Sequence, residues 1–157
     1  MDFKYLVVRK EDGVGWLKMN RPPMNALNTE VVLEIERAMD WFAGEDDVMV
    51  VVIFAEGKTF VAGADIGEMS KFTPMQAREF ARNGHRALGK IAGCEKPVIA
   101  AVNGYALGGG CELAMACDMR IATAQTELGF LQAQLNVTTA WGGGIDLLAA
   151  LGSAHAL

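Results

Sequence analysis

The sequence predicts an α/β fold, because strand patterns alternate with helical patterns along the chain. Two continuous apolar segments, Val48–Ala55 and Pro97–Val102, have the composition of strands that are buried on both faces of a sheet. The segments Val50–Asp65 and Val98–Glu112 also share one order: a strand, a turn, a small-residue loop and an acid. We interpret this as a repeated strand–helix unit. No linker or low-complexity stretch is present, so we expect one domain over residues 1–157.

The first elements form a predicted hairpin. Tyr5–Arg9 and Val14–Met19 are strand patterns, and Asp12-Gly13 between them is a two-residue turn signal. After a loop, Asn28 or Thr29 can cap a helix. Its apolar positions, spaced for one helical face, are Val32, Ile35, Met39 and Phe42.

The second half continues the alternation. Gly57 turns the chain after the first buried strand, and Pro74 begins an amphipathic helix that extends to near Lys90. After the second buried strand we expect a short helix over Gly110–Cys117 and a strand over Met119–Ala122. The segment Ile145–Leu157 is predicted to be an apolar helix, which either packs against another subunit or belongs to a fragment.

Composition excludes several classes of function. Lysine and arginine number 14 and aspartate and glutamate 19, so the net charge of −5 argues against nucleic-acid binding. No apolar run reaches the roughly 18 residues that span a membrane, and the N-terminus lacks the pattern of a signal peptide. The three cysteines have no metal-ligand spacing, so we expect no metal. A reduced, cytoplasmic location is the simplest interpretation.

Two small-residue loops could expose backbone N–H groups to a ligand. Ala62-Gly63-Ala64-Asp65 is one, and Gly108-Gly109-Gly110 is the other. If the loops converge, one N–H from each could hold a carbonyl oxygen. The glycines alone equally fit turns and close helix packing. Glu112, in the first turn of the short helix, fits either a favourable contact with the helix dipole or a catalytic base.

Three strings make the sequence similar to a known family. Phe60-Val-Ala-Gly-Ala-Asp-Ile66 and Pro97-Val-Ile-Ala-Ala-Val-Asn-Gly-Tyr-Ala-Leu-Gly-Gly-Gly-Cys-Glu-Leu-Ala114 closely resemble the crotonase superfamily, also called the enoyl-CoA hydratase/isomerase family. Asn20-Arg-Pro-Pro-Met-Asn-Ala-Leu27 resembles its early CoA-contacting loop. The resemblance covers essentially the whole chain. It implies a crotonase-like spiral of ββα units, an acyl-CoA thioester as substrate and a place in fatty acid metabolism.

The resemblance also implies roles for individual residues. The N–H groups of Ala64 and Gly109 would form an oxyanion hole for the thioester oxygen, and Glu112 would be the first catalytic glutamate. The residues expected to contact the substrate or CoA, with the backbone around Ala62 at the adenine end, are Met24, Ala26, Ala62, Asp65, Ile66, Gly108 and Trp141. Coenzyme A would enter as part of the substrate, so no separate cofactor is expected.

The sequence departs from the family pattern in two respects. Alignment on Trp-Gly-Gly puts Gln132 where hydratases have a second glutamate, and Gln134 nearby is also neutral. A glutamine can hold a water molecule but cannot exchange a proton as a carboxyl group does. Family members are also longer, so we expect that the C-terminal helices covering the acyl pocket and supporting trimers are missing.

These departures leave more than one function open. A single carboxylate fits double-bond isomerisation or decarboxylation of a malonyl-type acyl-CoA, and hydration stays possible if Gln132 positions water. A catalytically weak acyl-CoA-binding or assembly protein is the alternative from another class. RNA binding, known in a few similar proteins, is disfavoured by the charge of −5. A homotrimer or a dimer of trimers is the expected assembly.

Overall fold

The computed structural model describes residues 2–156, which form two β-sheets and the helices packed on them. The elements of the N-terminal half are β1 (Leu6–Glu11), β2 (Val14–Met19), α1 (Thr29–Gly44), β3 (Val50–Ala55), β4 (Thr59–Val61), α2 (Ile66–Met69) and α3 (Pro74–Ala92). Those of the C-terminal half are β5 (Val98–Val102), β6 (Tyr105–Leu107), α4 (Gly109–Ala116), β7 (Met119–Ala122), β8 (Glu127–Gly129), a 3-10 turn (Gln132–Leu135), α5 (Gly143–Leu151) and α6 (Ser153–Ala156).

Local signals place the first elements as expected. Asp12 and Gly13 both have positive φ angles, of 51° and 80°, which is the geometry of a tight hairpin turn between β1 and β2. The side chain of Asn28 accepts a hydrogen bond from the backbone N–H of Val31 and so caps α1. The strand predicted over Tyr5–Arg9 is shifted, because the antiparallel pairing with β2 begins at Leu6.

The repeated unit is confirmed and occurs three times. The five-stranded sheet has the order β1-β2-β3-β5-β7, and the three-stranded sheet has the order β4-β6-β8. Each repeat supplies one strand to each sheet and is followed by a helix or turn: β3-β4-α2, β5-β6-α4 and β7-β8 with the 3-10 turn. All pairs from β2 onward are parallel. This is the predicted spiral of ββα units.

The prediction that β3 and β5 are buried on both faces is wrong. In β3 burial alternates: Val51 and Ile53 are fully enclosed, whereas Val52 and Phe54 are only half-buried. One face of the large sheet joins the core with residues of α1 and α3, such as Phe42 and Leu88. Within residues 2–156 nothing covers the opposite face to the same extent, so only one side of each strand is fully buried.

The C-terminal helical segment is broken and carries exposed apolar side chains. The predicted helix over Ile145–Leu157 is two helices, α5 and α6, interrupted at Gly152, and Leu157 lies outside the described residues. Ile145, Leu148 and Leu151 of α5 are exposed. Across residues 2–156, every helix is too short or too polar to traverse a lipid bilayer.

Candidate active site

The two small-residue loops meet at one edge of the smaller sheet. Strands β4 and β6 pair in parallel, so the segments after Val61 and Leu107 leave from the same edge. Gly63 has a φ of +110°, and a Cβ atom on it would lie 3.1 Å from the carbonyl oxygen of Leu107 and 3.8 Å from the amide nitrogen of Gly109. The loops therefore converge, and the positive φ together with this close approach favours glycine at position 63.

Each loop presents a backbone amide that is not used within residues 2–156. The N–H of Leu27 donates to the Gly63 carbonyl, and the N–H of Asp65 donates to the Leu27 carbonyl, but the N–H of Ala64 between them donates to no described acceptor. Gly109 is the first residue of α4, where backbone N–H groups have no acceptor inside the helix, and it too has no described partner. Neither amide therefore donates to an acceptor in the part of the chain that the structure describes.

Glu112 is buried beside these amides and is held by three donors. It lies in the first turn of α4, three residues after Gly109 and therefore on the same side of the helix. Glu112 is only 3% exposed. Oε2 accepts hydrogen bonds from the backbone N–H groups of Trp141 (3.0 Å) and Gly143 (3.1 Å). Oε1 accepts one from Nε2 of Gln132 at 2.9 Å, which leaves Oε1 with a free lone pair.

Gln132 is the glutamine that contacts the acid, whereas Gln134 is exposed and makes no described contact with Glu112. The other amide atom of Gln132, Oε1, is buried and has no hydrogen-bond partner within residues 2–156. It offers an acceptor to a donor that enters the site. The 3-10 turn that carries Gln132 ends at Asn136, whose φ of 55° is in the left-handed region that Asn tolerates.

Trp141 supports the site through its ring as well as through its amide. The residue is 6% exposed, and its ring packs edge-on against Phe80 with centroids 5.4 Å apart. A Cβ atom added at Gly84 or Gly109 would lie 2.0 Å or 2.5 Å from ring atoms, so both glycines make space for the indole. The ring is enclosed on these sides, which favours the packing role over substrate stacking.

Of the residues expected to contact substrate or CoA, only Asp65 lines the open cleft on this side of the molecule. Met24 and Ile66 are exposed, while Ala26, Ala62, Asp65 and Gly108 are half-buried. The cleft has a volume of about 540 Å³, and its lining includes Asn28, Asp65, Gly67, Lys71, Phe72 and Gln76. Asp65 already has protein partners, since Oδ1 caps α2 and Oδ2 pairs with Arg21. The Arg21 guanidinium lowers the pKa of Asp65 below its usual range.

Two residues with a part in the site were not singled out from the sequence. Gly143 donates to Glu112, and a Cβ atom on it would lie 2.6 Å from Cγ of Glu112, so only glycine fits there. Its signal was the Trp-Gly-Gly-Gly string, which served only for alignment. Arg21 lies in the Asn-Arg-Pro-Pro string, whose local pattern indicates a loop and gives no role to the arginine side chain.

Residues 2–156 contain no group of three or more histidine, cysteine, aspartate or glutamate side chains that could hold a metal ion. Burial raises the pKa of Cys111 to about 11 and that of Cys117 to about 12. Thiols with such pKa values are largely protonated at neutral pH, as expected for small core residues.

Comparisons with known proteins identify the family of the chain. The family model described as enoyl-CoA hydratase/isomerase matches residues 9–156. A crotonyl-CoA hydratase of Syntrophomonas wolfei is 45% identical over 145 residues, which cover 91% of this chain and 56% of that protein. A short-chain-enoyl-CoA hydratase of Clostridium acetobutylicum is 39% identical, with the same two shares of 91% and 56%.

Solved structures of similar proteins have the same fold as this chain. An enoyl-CoA hydratase of Bacillus anthracis superposes with a TM-score of 0.93 at 30% identity, over 98% of this chain and 60% of that one. DspI of Pseudomonas aeruginosa superposes with a TM-score of 0.95 at 31% identity, over 99% of this chain and 65% of that one. The chain thus spans less than two-thirds of the length of each of these four proteins.

Proposed function

Because the chain belongs to the enoyl-CoA hydratase/isomerase family, we propose that it acts on an acyl-CoA thioester by stabilising its enolate. The observation that carries the proposal is the convergence of two unused backbone amides, Ala64 and Gly109, beside the buried carboxylate of Glu112. Donors placed for a developing oxyanion and an acid placed for a proton are the two requirements of enolate chemistry.

In the proposed mechanism the thioester oxygen accepts hydrogen bonds from the N–H groups of Ala64 and Gly109. These bonds stabilise negative charge on that oxygen when a proton leaves the carbon next to the thioester. Oε1 of Glu112 takes the proton, because Oε2 is already occupied by two backbone donors. Coenzyme A enters and leaves as part of the substrate, and no further cofactor has a part in these steps.

The neutral side chain of Gln132 bears on which reaction Glu112 can perform. Isomerisation of a double bond needs only one carboxylate, since Glu112 can remove a proton at one carbon and return it at another. Decarboxylation of a malonyl-type thioester also needs only one proton donor after carbon dioxide leaves. The name of the crotonyl-CoA hydratase relative favours hydration instead. In that case the unpartnered Oε1 of Gln132 would accept a hydrogen bond from the attacking water, with Glu112 as the sole proton carrier.

Two further proposals concern the assembly and an alternative class of function. The exposed apolar side chains of α5, which include Ile145 and Leu151, favour burial against another copy, as a homotrimer or a dimer of trimers. The absence of a second carboxylate next to Glu112 within residues 2–156 favours a catalytically weak acyl-CoA binder. Turnover separates an enzyme from a binder, and light scattering reports the assembly.

The test is mass spectrometry on a panel of crotonyl, 3-enoyl, methylmalonyl and ethylmalonyl thioesters incubated with the protein. Addition of water identifies a hydratase, a new retention time at equal mass an isomerase, and loss of carbon dioxide a decarboxylase. Each activity should fall by at least about a hundredfold in Glu112→Gln. Unchanged thioesters in the presence of folded protein that still binds CoA would reject catalysis in favour of the binder.

A further inference from the structure

We propose that Arg21 is a positioning residue for the oxyanion hole and acts through Asp65 on the direction of the Ala64 amide. This inference rests on the proposed function, because it assigns the same amide to the thioester oxygen. Arg21 touches neither Glu112 nor the free amides, and it lies 44 residues before its acidic partner. Its side chain contacts Ala26 and Asp65, on the two segments that meet at the peptide group carrying the Ala64 N–H.

The direction of that N–H is set by its own peptide plane. In a trans peptide the C=O and the N–H point to opposite sides. The carbonyl of Gly63 is fixed on one side by the backbone N–H of Leu27 at 2.8 Å. The N–H of Ala64 must then point to the other side. A rotation of this plane would turn the amide away from the oxygen that it is proposed to hold.

Two backbone hydrogen bonds, both at Leu27, form the bridge that fixes the plane. The bridge is outside the regular sheet, and a further backbone hydrogen bond, from the N–H of Ala62 to the carbonyl of Met24 at 3.0 Å, joins the same two segments. Arg21 contacts both segments that form this bridge. Nη1 donates to the carbonyl of Ala26, directly before Leu27, at 2.9 Å. Nη2 donates to Oδ2 of Asp65, directly after Ala64, at 2.6 Å.

Further contacts hold the two partners themselves. Oδ1 of Asp65 accepts the N–H of Glu68 at 3.1 Å, which fixes the carboxylate at the start of α2. The Arg21 guanidinium lies 5.5 Å from the ring centroid of Tyr5, and the backbone N–H of Arg21 donates to Asn25 at 2.9 Å. The side chains of Arg21 and Asp65 are only 26% and 21% exposed, so water competes weakly for the pair. A guanidinium has the two forward donors that this bridging needs, whereas a lysine ammonium is a single point charge.

The test compares Arg21→Met with Arg86→Met in the full chain. Arg86 is a matched control, because it also pairs with a carboxylate at 2.6 Å, that of Glu36, but joins α1 to α3 away from the site. The first readout is the stretching frequency of a carbon-13-labelled thioester carbonyl, measured by difference infrared spectroscopy on the bound acyl-CoA. An oxyanion hole polarises the carbonyl and lowers this frequency.

We expect a lowered frequency in the wild-type protein and in Arg86→Met, and a return towards the free value in Arg21→Met with affinity for CoA retained. Turnover should fall by about tenfold to a hundredfold, below the hundredfold to thousandfold that follows the loss of a whole donor. Asp65→Asn, which still caps α2, should reproduce the effect, and Arg21→Lys should restore part of it. Arg21→Met with a wild-type frequency and wild-type turnover would overturn the inference.

A second readout separates this inference from the proposed function. The amide resonance of Ala64, followed by nitrogen-15 NMR without substrate, should move in Arg21→Met and Asp65→Asn and stay in place in Arg86→Met. If the wild-type protein fails to polarise a thioester, the proposed function is rejected, and the movement of this resonance still decides whether Arg21 positions Ala64. An unmoved Ala64 resonance in both variants rejects the positioning role.

Discussion

Replacing Glu112 by Gln should separate catalysis from stability. The carbonyl oxygen of the introduced amide can accept the two backbone hydrogen bonds that Trp141 and Gly143 now donate to Oε2. Its nitrogen would then face Gln132. The Gln132 amide can turn over and present its buried, unpartnered Oε1 to that nitrogen. The number of hydrogen bonds stays at three, but no carboxylate remains to carry a proton.

The magnitudes follow from this count. We expect Glu112→Gln to change the free energy of unfolding by no more than about 1 kcal/mol, the value of one ordinary hydrogen bond. Glu112→Ala leaves two buried backbone donors and the partly buried Gln132 amide without an acceptor, which should lower the free energy of unfolding by about 3 kcal/mol or more. For a chain of this size, a loss of about 3 kcal/mol lowers Tm by about 6 °C or more. Turnover should fall by about a hundredfold to ten-thousandfold in Glu112→Gln, as for the loss of a general base.

The assay combines thermal unfolding, equilibrium binding of CoA and turnover of the active thioester on the three proteins. The reasoning requires that Glu112→Gln resembles the wild-type protein in Tm and in CoA affinity but not in kcat. It would be refuted if the Gln variant were as unstable as the Ala variant. It would also be refuted if the Gln variant retained wild-type turnover, because another group would then carry the proton.

Three further predictions concern packing, thiols and the neutral amide. Gly84→Ala should lower the free energy of unfolding by about 1–3 kcal/mol, because the added methyl group overpacks against the indole ring of Trp141. Gly89→Ala, on the same helix but with open space around it, should raise the free energy of unfolding by about 0.5–1 kcal/mol. Chemical denaturation measures both changes, and equal effects would contradict the packing account. At about pH 8 a thiol reagent should modify Cys94 in the folded protein and spare the two thiols whose pKa burial raises to about 11 and about 12. Three modified cysteines per folded chain, counted by mass spectrometry, would exclude this. Gln132→Glu should bring two carboxyl groups together that share a proton in acid and repel when both are ionised. Relative to the wild-type protein, its free energy of unfolding should therefore be lower at neutral pH, where the two carboxylates repel, than in acid, and a pH-independent difference in denaturation would contradict the contact.

The sequence predicted the parts of the fold that local chemistry encodes. The hairpin turn at Asp12 and Gly13, the cap at Asn28 and the apolar face of α1 all depend on neighbouring residues, and each was confirmed. The short strands β4, β6 and β8 were missed because three residues are too few to show a period. Their existence depends on pairing with one another across the repeats, which is a property of the tertiary structure.

The sequence predicted both loops and the acid of the site, but not Gly143, Arg21 or the contacts that these two residues make. The strings around Ala64 and Glu112 identified both loops, and the structure brings them together. The burial of β3 was overestimated, since an apolar composition cannot say whether a second layer covers the other face. The pair of Arg21 and Asp65 lies beyond any local pattern, because a separation of 44 residues leaves no periodic signal.

The central claim is that Glu112 removes a proton next to a thioester whose oxygen is held by two backbone amides. Exchange of that proton in deuterium oxide tests it most directly, with butanoyl-CoA, which has no double bond to hydrate or shift. Mass spectrometry should detect deuterium in butanoyl-CoA incubated with the wild-type protein and none above background with Glu112→Gln. A thioester that binds to the wild-type protein yet gains no deuterium, or that gains it equally with the variant, would contradict the claim.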